Sequence, residues 1–131
     1  MKTKSLFVAT SVIEIGAGLA LLASPALAAS ILIGSAFDTP ADSVVGRVAG
    51  AALLALGVAC WCARNDVLSR SASGLIVGML LYNIVVALVL VYAGIDLQLF
   101  GVGLWPTVAL HVVMAIWCLV VLSRLGANKE I

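Results

Sequence analysis

Four stretches of near-continuous apolar sequence, at 5–23, 44–63, 74–92 and 105–122, constrain this chain more than any other feature. Each is close to the roughly 20 residues that a helix needs to cross a hydrocarbon core of about 30 Å. Backbone N–H and C=O groups in lipid must find partners within their own segment, so each stretch is expected to be helical. The predicted fold is therefore an all-α, integral membrane four-helix bundle, a single transmembrane domain over 1–131. Composition agrees with this. The chain is 64% hydrophobic and 10% charged, against about 45–50% and about 25% in soluble domains, which leaves too little polar surface to face water. A net charge of +1 without a basic run gives no footprint for nucleic acid and leaves the lipid bilayer as the expected partner.

The breaks between spans carry turn chemistry. Ser24-Pro25 ends the first. Asp38-Thr39-Pro40-Ala41-Asp42-Ser43 leads into the second, with Asp42 or Ser43 expected as its N-cap. Pro106 suits the first position of the fourth. Ala26-Leu27-Ala28 has the A-x-A form of a leader-cleavage site and follows an apolar run headed by Lys2 and Lys4. Glu14 argues for retention, because a carboxyl in the middle of an apolar helix is costly and serves nothing if the helix is discarded. With four spans, Lys2, Lys4, Arg64, Arg70, Arg124 and Lys129 fall on one side and Arg47 alone on the other. The excess of Lys and Arg marks the cytoplasmic side, so both termini are expected there. The two outer loops carry apolar pieces, Ala28 to Ile33 and Ile95 to Phe100, expected to lie along the membrane surface or to cap the bundle. Phe37, Tyr92, Phe100 and Trp105 are expected in the outer aromatic belt and Trp61 in the inner one.

Helices in lipid associate through small residues that let backbones approach. Gly46 and Gly50, with Ala49 and Gly57, provide such a surface on the second span. Gly74 and Gly78 provide another on the third, and Gly16, Gly18 and Ala20 thin the first. One four-helix bundle accounts for these faces, which permit a homodimer without requiring it.

Of the few polar residues within the spans, those that could carry chemistry are Glu14, Arg47, Tyr82, Asn83 and His111. At 1.5 Å per residue, Glu14 and Asn83 fall near mid-span, Arg47 about one turn below the outer end and His111 about two turns below its own. Glu14, Arg47, Asn83 and His111 are the expected ligand-binding set, meeting in the outer half of the bundle. Glu14 is expected to face the interior with at least one of the other three in hydrogen-bond reach, directly or through one water. Arg47 suits an ionised Glu14 and Asn83 a protonated one, with Tyr82 a fourth choice. Each also has a structural reading: Arg47 as an interfacial residue, Asn83 and His111 as interhelical glue, Tyr82 as a core or lipid-facing aromatic.

One histidine is too few for a bis-histidine haem or a zinc site. Cys60, Cys62 and Cys118 form no C-x-x-C; Cys60 and Cys62 point to different helix faces, and the three read as small packing residues. Phosphate-loop, nucleophile-elbow and metalloprotease motifs are absent from the sequence. No cofactor, metal or catalytic residue is expected.

Glu14 followed by Ile15-Gly16-Ala17-Gly18-Leu19, Gly46-Arg47-Val48-Ala49-Gly50 opening the second span, and Trp105-Pro106-Thr107 running on to His111 together resemble the DoxX-like group of small bacterial four-helix membrane proteins. That resemblance implies the four-helix plan over most of the chain and a place in the bacterial inner membrane, and little about activity. The placement of Glu14 in the first helix is also similar to that in small multidrug exporters. The long apolar outer loops and the one-sided charge depart from that pattern. The function expected is non-enzymatic: a polar pocket in the outer half of the bundle that binds a small or lipid-soluble ligand, or docking onto a larger membrane complex. The alternatives are proton-coupled transport through Glu14 and, second, a quinone-reactive membrane enzyme.

Overall fold

The computed structural model describes residues 3–127. Among them five helices and no strand occur: α1 (Thr3–Ala23), α2 (Pro25–Ile33), α3 (Pro40–Ala63), α4 (Arg70–Ile95) and α5 (Leu104–Ala127). Four of these, α1, α3, α4 and α5, are long and apolar enough to cross a membrane. They correspond to the four expected spans, each longer by a few residues. The polar end turns of a span are helical too, although hydropathy does not count them.

The added turns have local causes. α3 starts at Pro40, earlier than the expected Asp42 or Ser43 cap, because Thr39 is the N-cap. The Asp42 backbone N–H donates to Thr39 Oγ1 at 3.2 Å, and the Thr39 backbone N–H donates to Asp42 Oδ2 at 3.1 Å. This reciprocal box satisfies two donors that a helix start leaves unpaired, and Pro40 at the first position has no N–H to satisfy. Ser69 caps α4 with a single bond, accepting from Ala72 N–H at 3.0 Å. α5 begins at Leu104, two residues before Pro106, so the proline lies within the first turn rather than at its first position. The expected surface piece of the first outer loop is helix α2, broken from α1 at Ser24-Pro25 and closed by Gly34 in the left-handed conformation (φ 74°). The A-x-A residues, Ala26 to Ala28, lie inside α2.

The bundle is two close pairs. α1 packs most intimately on α3, and α4 on α5. Glycine explains the first pair. A Cβ added to Gly18 would lie 2.7 Å from the Gly50 carbonyl oxygen and 2.7 Å from the Leu54 backbone nitrogen. One added to Gly50 would lie 2.8 Å from the Gly18 carbonyl oxygen. Gly57 takes the next contact inward along α1, against Ile15 and Ser11, and Ser11 Oγ donates to the Gly57 carbonyl at 2.8 Å. The small faces of Gly16, Gly74 and Gly78 are not used this way: no atom of another helix lies within 4 Å of a Cβ built there. Between the pairs lies a seam filled by side chains, with Leu6, Phe7, Cys60, Ile76, Met79, Met114 and Cys118 in one buried cluster.

α2 and the α4–α5 turn close one end of the bundle. The Gly103 N–H donates to the Ile31 carbonyl at 2.9 Å. Gly34 sits on the Phe100 carbonyl, and Gly101 against Ile31 and Leu32 backbone, closely enough to exclude a side chain. Tyr92, Phe100 and Trp105 are exposed near this end, as a belt requires, but Phe37 is not: its ring covers Gly46. At the opposite end Trp61 is exposed, with the Arg64 guanidinium 3.9 Å above its ring and donating to its carbonyl.

Candidate functional site

α1 turns Leu6, Phe7, Thr10, Ser11, Glu14 and Gly18 inward, a spacing of three and four residues that keeps them on one helix face. Glu14 is the carboxyl on that face and is 4% exposed. Its partner comes across the seam from α4: Tyr82 Oη donates to Glu14 Oε2 at 3.2 Å. The three expected partners are not the ones that bond it. Asn83 and His111, 2% and 6% exposed, bond each other instead, with His111 Nδ1 2.8 Å from Asn83 Oδ1. Adjacent positions on a helix point about 100° apart, so α4 directs Tyr82 toward α1 and Asn83 toward α5.

Arg47 does not join them. It lies on an exposed face of α3, one position past Gly46, which is buried under Phe37 and Pro25. The glycine face of α3 is committed to α1 and α2, and the same angular step that buries Gly46 turns Arg47 outward.

The protons in the cluster can be assigned. Asn83 Nδ2 donates to the Met79 carbonyl at 2.7 Å, so its Oδ1 is the atom facing His111. An amide oxygen only accepts, so His111 Nδ1 carries the hydrogen and donates. The neutral imidazole then has its acceptor at Nε2. The Tyr82 ring stands edge-on to His111, centroids 5.5 Å apart and planes at 80°, an arrangement favoured by the aromatic quadrupole. Tyr82 therefore touches both the carboxyl and the imidazole. One hydrogen bond uses only part of the acceptor capacity of a carboxyl group.

Thr10, one turn from Glu14 on the same face, is the member the sequence reading missed. Its Oγ1 is buried without a hydrogen-bond partner, in a residue 1% exposed. The i−4 spacing from Glu14 was the available signal. The cluster thus offers a carboxyl, an imidazole acceptor, a phenol and an unpartnered hydroxyl at mid-span. Two shallow apolar grooves follow α1, one of about 410 Å³ lined by Ser11, Val12, Ile15, Gly16, Val58 and Trp61; neither is lined by Glu14 or His111. No group of three or more His, Cys, Asp or Glu placed to hold a metal ion occurs among the described residues.

These features define a class: an all-α, multi-span membrane bundle with a polar layer across the seam between its helix pairs. Comparison with known proteins finds no matching family model, no matching curated protein and no matching solved structure.

Proposed function

We propose that this chain is a non-enzymatic membrane protein whose mid-span cluster binds a small, lipid-soluble ligand bearing hydrogen-bond donors, such as a hydroxyl or amine. The reading rests on one observation. Glu14, a carboxyl at mid-span, is buried with Tyr82 as its bonding partner, beside an imidazole already oriented by Asn83. Groups that only glue helices are satisfied by one another. This cluster keeps acceptor capacity at Glu14 and His111 and an unpartnered Thr10 hydroxyl, and polar groups at this depth are costly unless used. The side-chain-filled seam is the route by which a ligand would enter, because the α1–α3 and α4–α5 contacts are tighter. The resemblance to DoxX-like proteins and a bacterial inner-membrane location with both termini cytoplasmic belong to the same proposal. Arg47 then serves the outer interface rather than the ligand.

Native mass spectrometry of the protein extracted in mild detergent tests this. The wild type is expected to carry a co-purifying small molecule, and Glu14→Gln and Tyr82→Phe to lose most of it. Equal occupancy in wild type and Glu14→Gln would overturn the reading. A pH-dependent flux in proteoliposomes that disappears in Glu14→Gln would instead favour the proton-coupled transporter.

A further inference from the structure

Four of the chain's six sulfur-bearing side chains gather in one place. Cys60 on α3, Met79 on α4, and Met114 and Cys118 on α5 belong to the same buried cluster, at 0%, 0%, 5% and 0% exposure. Met79 is one turn from Asn83, and Met114 and Cys118 lie one and two turns from His111, so the sulfur layer lies next to the polar layer, away from α2. Cys60 Sγ and Met79 Sδ are 3.6 Å apart, a contact between helices that make little other backbone contact. Cys118 is fully buried in the same cluster as Cys60. Cys62, two residues along α3, is exposed and takes no part.

We propose that Cys60, Met79 and Cys118 form a binding site for a soft monovalent d10 cation, Cu(I) or its analogue Ag(I). Thiolate and thioether donors select such ions. Zinc sites use four nitrogen, oxygen or thiolate ligands, a set this cluster lacks. Metal–sulfur bonds of about 2.3 Å place neighbouring sulfurs about 3.8–4.0 Å apart at tetrahedral to trigonal angles. The observed pair needs to part by only a few tenths of an ångström. Charge also fits. On binding, the Cys60 thiol releases its proton to solvent and one sulfur–metal bond forms. The cation and the thiolate cancel, so the apolar core gains no net charge. Met79 is the neutral second donor, and Cys118 lines the site as a neutral thiol, keeping the balance of one cation and one thiolate. Cys60 lies three residues from the end of α3, on the side proposed as cytoplasmic, where thiols stay reduced. This inference does not depend on the ligand reading of Glu14.

The test is a Cu(I) titration of the full chain in detergent, under reducing anaerobic conditions, against a chromophoric Cu(I) chelator. One equivalent is expected to bind to wild type and to Cys62→Ser. Cys60→Ser and Met79→Leu should each lose at least tenfold in affinity, and Cys118→Ser several-fold. Loss of binding in Cys62→Ser, or its retention in both Cys60→Ser and Met79→Leu, would overturn the site. X-ray absorption on Cu(I)-loaded Cys62→Ser decides the matter even if the other variants fail to fold. Two or three sulfur ligands are expected, and a shell of nitrogen or oxygen would refute the proposal.

Discussion

At the scale of single residues, identical letters in the same helix have opposite weights. Gly16 and Gly18 are two positions apart in α1, yet one faces open space and the other sits on the α3 backbone. Alanine at 18 must push backbone, which costs about 1–3 kcal/mol as overpacking. Alanine at 16 meets nothing and removes a helix-interior glycine, a gain of up to about 1 kcal/mol. The neighbouring Ser11 hydrogen bond to Gly57 is worth less, about 0.6 kcal/mol by the average for such bonds in membranes. The expected order of stability in a denaturing-detergent titration is therefore Gly16→Ala at or above wild type, Ser11→Ala slightly below, and Gly18→Ala lowest. Equal stability of the two glycine variants would contradict the close α1–α3 approach. The sequence made both glycines candidates, because a small residue is recognisable as a letter while its neighbour is not.

Among the elements, α2 and the α4–α5 turn are held by backbone, and three glycines make that approach possible. Gly34 combines a positive φ with a carbonyl of Phe100 2.5 Å from any added Cβ. A non-glycine residue in the left-handed region costs roughly 1–2 kcal/mol before any collision. Gly101 meets the Ile31 and Leu32 backbone across the same junction. Gly34→Ala and Gly101→Ala are each expected to destabilise the protein. The double variant should cost less than the two singles together, because the first substitution already parts the surfaces. A thermal double-mutant cycle measures this, and additivity within about 0.3–0.5 kcal/mol would show that the two glycines do not share one contact. The apolar pieces in these loops were readable as caps in the sequence; that they interlock through glycine was not, since Gly34 and Gly101 are far apart in the chain.

For the whole molecule, the open prediction is orientation. The sequence assigns six of seven basic residues to one side of a four-span chain, Lys2 and Lys129 among them lying outside the described residues, and such asymmetry sets topology. In intact cells of a Cys62→Ser background, a membrane-impermeant thiol reagent is expected to label Asp38→Cys and Asp96→Cys. It should miss Asn65→Cys, whose loop is on the opposite face of the bundle. The reverse pattern would invert the topology and place the sulfur cluster near the outer surface. At this scale the seam matters most. Ser11 to Gly57 joins one pair, Asn83 to His111 the other, and Glu14 to Tyr82 crosses between them. Any motion that parts the pairs must break or lengthen that last bond.

The sequence by itself determined four apolar helices, their approximate limits and the burial of Glu14, Asn83 and His111. Length and hydropathy are summed along a segment, and a polar group at mid-span has few places to go except inward. Only the tertiary structure decided which group meets which. Depth placed Arg47, Tyr82, Asn83 and His111 as candidates for Glu14, but depth is one coordinate, and contact also needs the rotation of each helix about its axis. The glycine contacts of α1 with α3 set that rotation for one pair and turned Arg47 out. The packing of α4 against α5 set it for the other, giving Asn83 to His111 and leaving Tyr82 to reach Glu14. Rotation is fixed by side chains remote in sequence fitting together, so no local pattern encodes it.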